Sequence, residues 1–154
     1  MAINYHNQPA IVNKRATFNY FITDTVEAGI MLTGTEIKAV REGKANLTDA
    51  FCVIRENEMW IKNMHISGYE YGSYNNHEPR RDRKLLLHRH QIKKMLAKAK
   101  EKGVTIVPTK CYFSERGLLK LEIGIARGKK LYDKRDSIKE AESKREVSRA
   151  MKRF

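Results

Sequence analysis

Apolar and polar residues alternate along much of the chain, and this pattern predicts several short β-strands. Residues 17–26 alternate aromatic and β-branched side chains with polar ones, which predicts a first strand. The sequence Glu27-Ala28-Gly29 is typical of a turn, so residues 30–32 would return as a second strand.

Two further pairs of apolar runs predict β-hairpins. Residues 50–55 and 59–64 flank a short polar segment, which predicts a tight turn between two strands. Residues 104–113 and 118–126 flank a Ser-Glu-Arg-Gly turn. In the second of these strands, leucine and isoleucine alternate with charged residues such as Lys120, so the charged side chains should face outward.

Helical spacing of apolar residues occurs twice. Residues 35–42 have this spacing and are followed by Gly43, which is typical of the end of a helix. Residues 84–102 carry an apolar stripe that predicts a long helix ending before Gly103. Residues 66–82 are rich in Gly, Asn, Ser and Tyr and predict a long irregular loop.

Together these elements predict a mainly β fold with two or three helices. The arrangement that suits them is a small closed antiparallel barrel of about six strands, of the OB type. We expect residues 1–127 to form this barrel. Residues 128–154 have few apolar side chains but many Lys, Glu, Ala and Arg, so we expect a basic tail that is disordered alone and helical against a partner.

The charge of the chain indicates a polyanionic partner. The 31 Lys and Arg exceed the 18 Asp and Glu by 13, and the pI is about 9.8, which favours nucleic acid or an anionic membrane surface. No apolar run approaches the roughly 18 residues of a membrane span. The N-terminus lacks the order of a secretory signal, and the two cysteines do not make a disulfide framework. We therefore expect a cytoplasmic protein that does not bind membranes.

The sequence contains no motif that indicates catalysis, a cofactor or a metal site. His88 and His90 lie two residues apart in the predicted long helix, so they should point away from one another. Cys52 and Cys111 lie in apolar strands, where burial disfavours a reactive thiolate. An enzyme is therefore the weakest of the candidate classes.

Three basic segments are candidates for RNA binding. Arginine forks bind phosphates, and a tyrosine among cations can stack on an unpaired base. The alternative interpretation of each segment is a solvated charged surface. The segments are Asn13-Lys14-Arg15-Ala16, Arg80-Arg81-Asp82-Arg83-Lys84, and the start of the tail, Gly128-Lys129-Lys130-Leu131-Tyr132-Asp133-Lys134-Arg135.

Five motifs in this order and spacing resemble the small protein B (SmpB, SsrA-binding protein) family, and the similarity extends over residues 11–152. They are Asn13-Lys14-Arg15-Ala16, Glu27-Ala28-Gly29-Ile30, Gly34-Thr35-Glu36-Ile37-Lys38, Arg83-Lys84-Leu85-Leu86-Leu87-His88 and the tail motif from Gly128 to Arg135.

The resemblance implies an OB-type fold with one face that binds the tRNA-like domain of tmRNA in bacteria. The tail would enter a stalled ribosome, probe the decoding centre of the small subunit and the empty mRNA channel, and become helical there. Delivery of tmRNA to the A site would permit trans-translation, which rescues the ribosome and tags the peptide. The resemblance implies no catalysis, cofactor or small-molecule substrate, and we expect a monomer.

The resemblance and the basic segments together give a set of candidate site residues. For tmRNA binding these are Asn13, Lys14, Arg15, Glu27, Lys38, Arg81, Arg83, Lys84 and Leu86. For ribosome binding they are Gly128, Lys129, Lys130, Tyr132, Asp133, Lys134 and Arg135. Glu27 is acidic, but a carboxylate can accept hydrogen bonds from base amino groups or ribose hydroxyls.

Two other functions are compatible with the basic composition. A generic OB-fold protein that binds single strands needs exposed aromatic residues across a sheet face, whereas most aromatic residues here occupy alternating core positions. A ribosomal or ribosome-assembly protein would be equally basic and would differ only in its partner, because it would be a permanent subunit.

Overall fold

The structure, a computed structural model, describes residues 10–70 and 76–152, with the backbone alone for residues 131–133 and 152. The strands are β1 (Ile11–Val12), β2 (Tyr20–Ile30), β3 (Ala45–Asn46), β4 (Phe51–Arg55), β5 (Glu58–Lys62), β6 (His65–Ile66), β7 (Arg83–Leu86), β8 (Val104–Phe113) and β9 (Leu119–Gly128). The helices are α1 (Lys14–Asn19), α2 (Gly34–Arg41), α3 (Arg89–Ala99) and α4 (Leu131–Lys152).

Six strands close into a ring in the order β8, β4, β5, β7, β2 and β9, and β9 pairs again with β8. All of these pairings are antiparallel. Strand β1 pairs with β8 beside β4, and β3 and β6 form a separate two-stranded sheet. The predicted closed antiparallel arrangement of about six strands is confirmed.

The inside of the ring is filled by alternate side chains of its strands. Met59, Ile61, Leu85, Leu121 and Ile123 are at most 1% exposed. Because successive side chains of a strand point to opposite faces, the intervening residues of the same strands form the outer surface of the ring. The alternation of inward and outward side chains along each strand therefore also determines which residues can contact a partner.

The local signals for both hairpins and for α2 are confirmed. The turn between β4 and β5 holds Glu56 and Asn57 at φ 53° and 63°, as a tight hairpin turn requires. The hairpin of β8 and β9 is longer and equally regular. Helix α2 ends before Gly43, whose φ is 76°.

The N-terminal region differs from the sequence prediction. Residues 14–19 form helix α1, so residues 17–19 do not belong to the predicted strand. The Asn13 side chain caps this helix by accepting a hydrogen bond from the Ala16 N–H at 3.2 Å. Strand β2 continues through the predicted turn, since Ala28 is buried in the core and Gly29 pairs on both sides. The irregularity of β2 lies instead at Asp24, whose φ is 52°.

The predicted helix over residues 84–102 starts too early. Arg83–Leu86 is strand β7, which lies between β5 and β2 and completes the ring. Arg83 and Leu85 point inward and Leu86 points outward, which is the alternation of a strand. Helix α3 begins only at Arg89.

The segment predicted to be a tail contains helix α4. From residue 135 to residue 151 the described side chains are exposed, except that of Ser137, which is half-buried. The segment is therefore helical, as its composition indicated. Disorder of the isolated tail stays a prediction. Among the described residues, no helix has both the length and the apolar character needed to cross a membrane.

Candidate nucleic-acid interface

The outward surfaces of β2, β7 and β9 bring Glu27, Leu86 and Lys120 together, and we call this surface the outer face. Gly29 of β2 pairs with Leu86 of β7 on one side and with Lys120 of β9 on the other. Glu27 lies two residues before Gly29 and therefore shares its face. A Cβ at Gly29 would lie 3.3 Å from the Leu86 Cβ, so glycine permits Leu86 to lie close against the β2 backbone.

Two further exposed apolar side chains lie at the ends of the strands that form the outer face. Leu86 itself is 51% exposed, Met31 is 53% exposed and Leu118 is 56% exposed. Met31 directly follows β2, and Leu118 directly precedes β9. Apolar side chains at this exposure provide a surface for an unpaired base or a ribose.

Lys84 and Lys110, on or beside the outer face, are paired with carboxylates, whereas Lys120 pairs with none among the described residues. The Lys84 Nζ lies 2.9 Å from Glu58 Oε1, and the Lys110 Nζ lies 3.3 Å from Glu122 Oε2. Within the described part of the chain, Lys120 has no carboxylate at ion-pair distance, so it can neutralise a phosphate without first losing a partner. The alternation of β9 predicts that Lys120 faces outward, but no sequence motif marks it as a site residue.

The Glu27 carboxylate is held by a tyrosine from another strand. The Tyr112 hydroxyl of β8 donates a hydrogen bond to Glu27 Oε2. Partial burial, together with this hydrogen bond and the negative charge of Glu27, raises the pKa of Tyr112 to about 12. The phenol is therefore protonated at neutral pH and acts as the donor.

Arg83 lies in the core and not on the surface where the sequence analysis placed it. The residue is 0% exposed, and its Nε donates a hydrogen bond to Glu36. Its Nη1 donates to the Met64 carbonyl at 2.7 Å and its Nη2 to the Pro79 carbonyl at 3.2 Å. The predicted phosphate contact of Arg83 is therefore wrong in this fold, and its role is to hold the segment before β7.

Glu36 of α2 is the carboxylate that makes this arrangement possible. Its Oε1 lies 2.6 Å from Arg81 Nη2 and accepts a hydrogen bond from the Thr33 N–H at 2.9 Å. Burial alone would raise the pKa of Glu36, but hydrogen bonds from Arg81, Thr33 and Arg83 outweigh it and hold that pKa at about 2. Arg81 is half-buried, and its Nη2 is committed to Glu36 in this network.

Asn13 is also a positioning residue and not a surface contact. It is 2% exposed, and its Nδ2 donates hydrogen bonds to the carbonyls of Leu47 and Pro108, both at 2.9 Å. Because Asn13 also caps α1, it ties this helix to the ring. The predicted direct contact of Asn13 with RNA does not fit its burial.

Three predicted RNA-binding cations lie on helices and not on the strands of the outer face. Lys14 is exposed on α1, and the neighbouring Arg15 Nη1 lies 3.1 Å from Asp49 Oδ1. The groove beside α1, with a volume of about 470 Å³, is lined in part by Arg15 and Asp49. Lys38 is exposed on α2, with its Nζ 5.4 Å from the Tyr69 ring centroid.

The first tail residues are attached to the ring by specific contacts. Gly128 is the last residue of β9, and the following Lys129 N–H donates a hydrogen bond to the Asn19 carbonyl at 2.8 Å. The Lys129 Nζ lies 5.1 Å from the Phe21 ring centroid and 2.8 Å from Ser137 Oγ. Lys129 therefore contacts both the ring and α4.

The other predicted ribosome-binding residues are Lys130, which directly precedes α4, and residues of the first turns of α4. The Lys134 N–H donates a hydrogen bond to the Lys130 carbonyl at 3.2 Å, and Arg135 is exposed. Tyr132 and Asp133 belong to the first turn of α4, and their side chains lie outside the described part of the structure. Their roles stay predictions.

The histidines and cysteines form no further site in the described residues. His88 and His90 stack with ring centroids 5.5 Å apart, so the expectation that they point away from each other is wrong; His88 precedes α3 and has extended backbone. No group of three or more His, Cys, Asp or Glu in the described ranges is arranged to hold a metal ion. Cys52 and Cys111 are buried and free, and burial raises the pKa of the Cys111 thiol to about 12.

Comparison with known proteins identifies relatives over nearly the whole chain. The family model described as SmpB protein matches residues 10–153. The SsrA-binding protein of Parabacteroides distasonis is 55% identical over 147 residues, covering 96% of this chain and 96% of the relative. That of Bacteroides thetaiotaomicron is 54% identical over 143 residues, covering 93% of this chain and 95% of the relative.

A solved structure shows the same relationship. It is described as "tmRNA-SmpB: a journey to the center of the bacterial ribosome" and has 48% sequence identity and a TM-score of 0.69. The alignment covers 80% of this chain and 87% of the solved one. The extent of these matches and their agreement with the five sequence motifs show that this chain belongs to the SmpB family of SsrA-binding proteins.

Proposed function

We propose that this protein binds the tRNA-like domain of tmRNA through the outer face and delivers it to the A site of stalled ribosomes for trans-translation. Membership of the SmpB family and similarity to the SmpB chain in a tmRNA–ribosome structure support this proposal. The observation that carries it is the adjacency of Glu27, Leu86 and Lys120, which the two pairings of Gly29 produce.

The three groups of the outer face suit RNA better than a purely electrostatic partner. Glu27 accepts hydrogen bonds, Leu86 provides an apolar surface, and Lys120 neutralises a phosphate. A folded RNA with unpaired nucleotides presents a donor, a base face and a phosphate within the span of a few strands. The proposal requires neither a cofactor nor a catalytic residue.

The proposal divides the chain into residues 1–127, which bind tmRNA, and residues 128–154, which act in the ribosome. Helix α4 is exposed along most of its length. Residues 128–154, which contain it, carry a net charge of +5. Such a helix suits a channel lined by RNA phosphates, where Tyr132 and the following Asp133, Lys134 and Arg135 would meet the decoding centre.

The test is to measure tmRNA affinity and peptide tagging in the same variants. A truncation after Arg127 should keep tmRNA affinity and lose tagging, whereas Glu27→Gln should lower affinity by about tenfold, the effect of one hydrogen bond to a charged group. If truncation abolished tmRNA binding as fully as tagging, or if tagging survived it, the proposed division would be wrong.

Point substitutions in the tail refine this test. Tyr132→Ala, or replacement of Asp133, Lys134 and Arg135 by alanine, should reproduce the loss of tagging with unchanged tmRNA affinity. Sequencing of RNA that co-purifies with the intact chain separates the proposal from a ribosomal or ribosome-assembly protein. Enrichment of tmRNA is expected; ribosomal RNA without tmRNA would favour the alternative.

A further inference from the structure

We propose that Tyr112 is a positioning residue for RNA recognition: its hydroxyl fixes the Glu27 carboxylate so that the second carboxylate oxygen faces the RNA. This inference rests on the proposed function, because it concerns how the outer face selects its contacts. Tyr112 belongs to none of the motifs that indicated the family.

The strand register explains how Tyr112 reaches Glu27. Tyr112 of β8 pairs with Lys120 of β9, and Lys120 pairs with Gly29 of β2. The phenol therefore extends across β9 to donate its hydrogen bond to Glu27 Oε2. In the described structure Tyr112 is the hydrogen-bonding partner of Glu27, and Glu27 Oε1 is left to accept from a ligand.

The neighbouring charges explain why Glu27 needs such a partner. Glu27 pairs directly opposite Glu122, and like charges in this position repel. Glu122 is paired with Lys110 at 3.3 Å, and the Lys110 Nζ also lies 5.6 Å from the Tyr112 ring centroid. Lys110 and Tyr112 thus each engage one of the two carboxylates.

Without the hydroxyl, Glu27 would have a competing partner within the outer face. Lys120 lies diagonally across from Glu27 and has no carboxylate partner in the described residues. A released Glu27 carboxylate would turn toward this ammonium, and the resulting pair would remove both a hydrogen-bond acceptor and a cation from the RNA-binding surface. The Tyr112 hydrogen bond keeps the two groups separately available.

The same hydrogen bond determines what Glu27 can recognise. The Tyr112 hydroxyl is committed as a donor to Oε2, so Oε1 presents only lone pairs. A ligand atom that meets it must carry a hydrogen, as a base amino group or a ribose 2′-hydroxyl does. A phosphate oxygen carries no hydrogen and would be repelled by Glu27 Oε1, whereas the Lys120 ammonium can donate to it.

A double-mutant cycle with tmRNA tests this inference. Tyr112→Phe removes the hydroxyl and keeps the ring, and we expect it to lower tmRNA affinity by about five- to tenfold. Glu27→Ala should lower affinity at least as much, and adding Tyr112→Phe to Glu27→Ala should cause no further loss. Tyr20→Phe removes a hydroxyl at the other end of β2, seven residues before Glu27, and serves as the matched control. Urea unfolding of each variant shows that the fold is retained.

Each other outcome has a defined meaning. If Tyr112→Phe lowers affinity equally with and without Glu27, the hydroxyl contacts the RNA directly and the positioning role is overturned. If Tyr112→Phe leaves affinity unchanged while Glu27→Ala lowers it, the positioning role is overturned and the proposed function stands. If Glu27→Ala itself leaves affinity unchanged, the outer face is not the tmRNA site and the proposed function is what fails.

Discussion

The strand ring and helix α4 bury their side chains to opposite extents. Met59, Leu121 and Ile123 of the ring are 0% exposed, whereas the apolar side chains of α4 remain open, with Ile138 46% and Val147 55% exposed. The ring therefore gains stability from its own core. Helix α4 gains almost none from packing against the ring, so we expect its order to depend on what it binds.

The two regions also use charge differently. The ring and the helices packed on it hold a buried ion pair between Arg83 and Glu36 and several surface pairs. Many of their charged side chains therefore bind one another. Residues 128–154 have an excess of five positive charges, of which helix α4 itself carries two. Charge stabilises structure in one region and is available to a partner in the other.

The largest expected effect separates a buried carboxylate of α2, which pairs with the ring, from an exposed one of α4. Glu36→Ala would leave Arg83 buried without a counter-charge, and we expect the free energy of unfolding to fall by about 3–5 kcal/mol. Glu142→Ala, on the exposed surface of α4, should change it by less than about 0.5 kcal/mol. Urea denaturation of both variants measures the difference; equal effects would contradict the contrast between the two regions.

The same carboxylate predicts how stability depends on pH. The pKa of Glu36 is about 2 in the folded protein, below its ordinary value of 4.5, so the stabilisation is complete above about pH 4.5. It should be lost as the pH falls from 4.5 toward 2, by about 3 kcal/mol in total. Urea unfolding at a series of pH values measures this loss. In a Glu36→Gln variant the dependence should be correspondingly flatter; an unchanged profile would show that another group is responsible.

Two glycines of β9 provide a smaller, matched contrast. A Cβ at Gly124 would lie 2.6 Å from Ile22 Cγ2 and 3.3 Å from the Thr23 carbonyl oxygen, whereas nothing lies within 4 Å of a Cβ at Gly128. Gly124→Ala should therefore lower the free energy of unfolding by about 1–3 kcal/mol. Gly128→Ala should leave it nearly unchanged. Thermal unfolding of the two variants is the measurement, and a reversed order would mean that β2 and β9 are not packed as described.

The smallest effects concern salt and single surface cations. With roughly four phosphates neutralised, log affinity for tmRNA should fall with log salt at a slope of about −3 to −4, with and without residues 128–154. Lys120→Ala should make the slope shallower by about 1, while Arg116→Ala, in the hairpin turn, should not change it. Filter binding across a salt series checks this. A shallower slope after truncation would assign part of tmRNA binding to the tail.

Elements with strong local signals could be predicted from the sequence. The hairpin of β4 and β5, the hairpin of β8 and β9, and α2 each combine a periodic apolar pattern with a turn or stop signal at the end. For these elements local preference and tertiary packing agree. The resemblance to the SmpB family, which rests on ordered motifs, was likewise readable before the fold and is confirmed.

Elements whose local signals conflict with packing were predicted wrongly. Arg83 looked like a polar residue at the start of a helix. The sequence does not show that Glu36 pairs with it, and this pairing makes its burial in β7 possible. Glu27-Ala28-Gly29 looked like a turn because its glycine is explained only by the close approach of Leu86. In both places a residue distant along the chain determines the outcome.

The sequence by itself determined the strand-rich composition of the ring, the two hairpins, the basic exposed character of residues 128–154 and the family to which the chain belongs. All of these follow from local periodicity, charge and ordered motifs. Only the tertiary structure decided that Arg83 and Asn13 are buried and that β2 lies between Leu86 and Lys120, which has no carboxylate partner among the described residues. It also decided that Tyr112 reaches Glu27 across β9. The physical reason is that strand register joins residues far apart in sequence, and local patterns do not specify which strands pair.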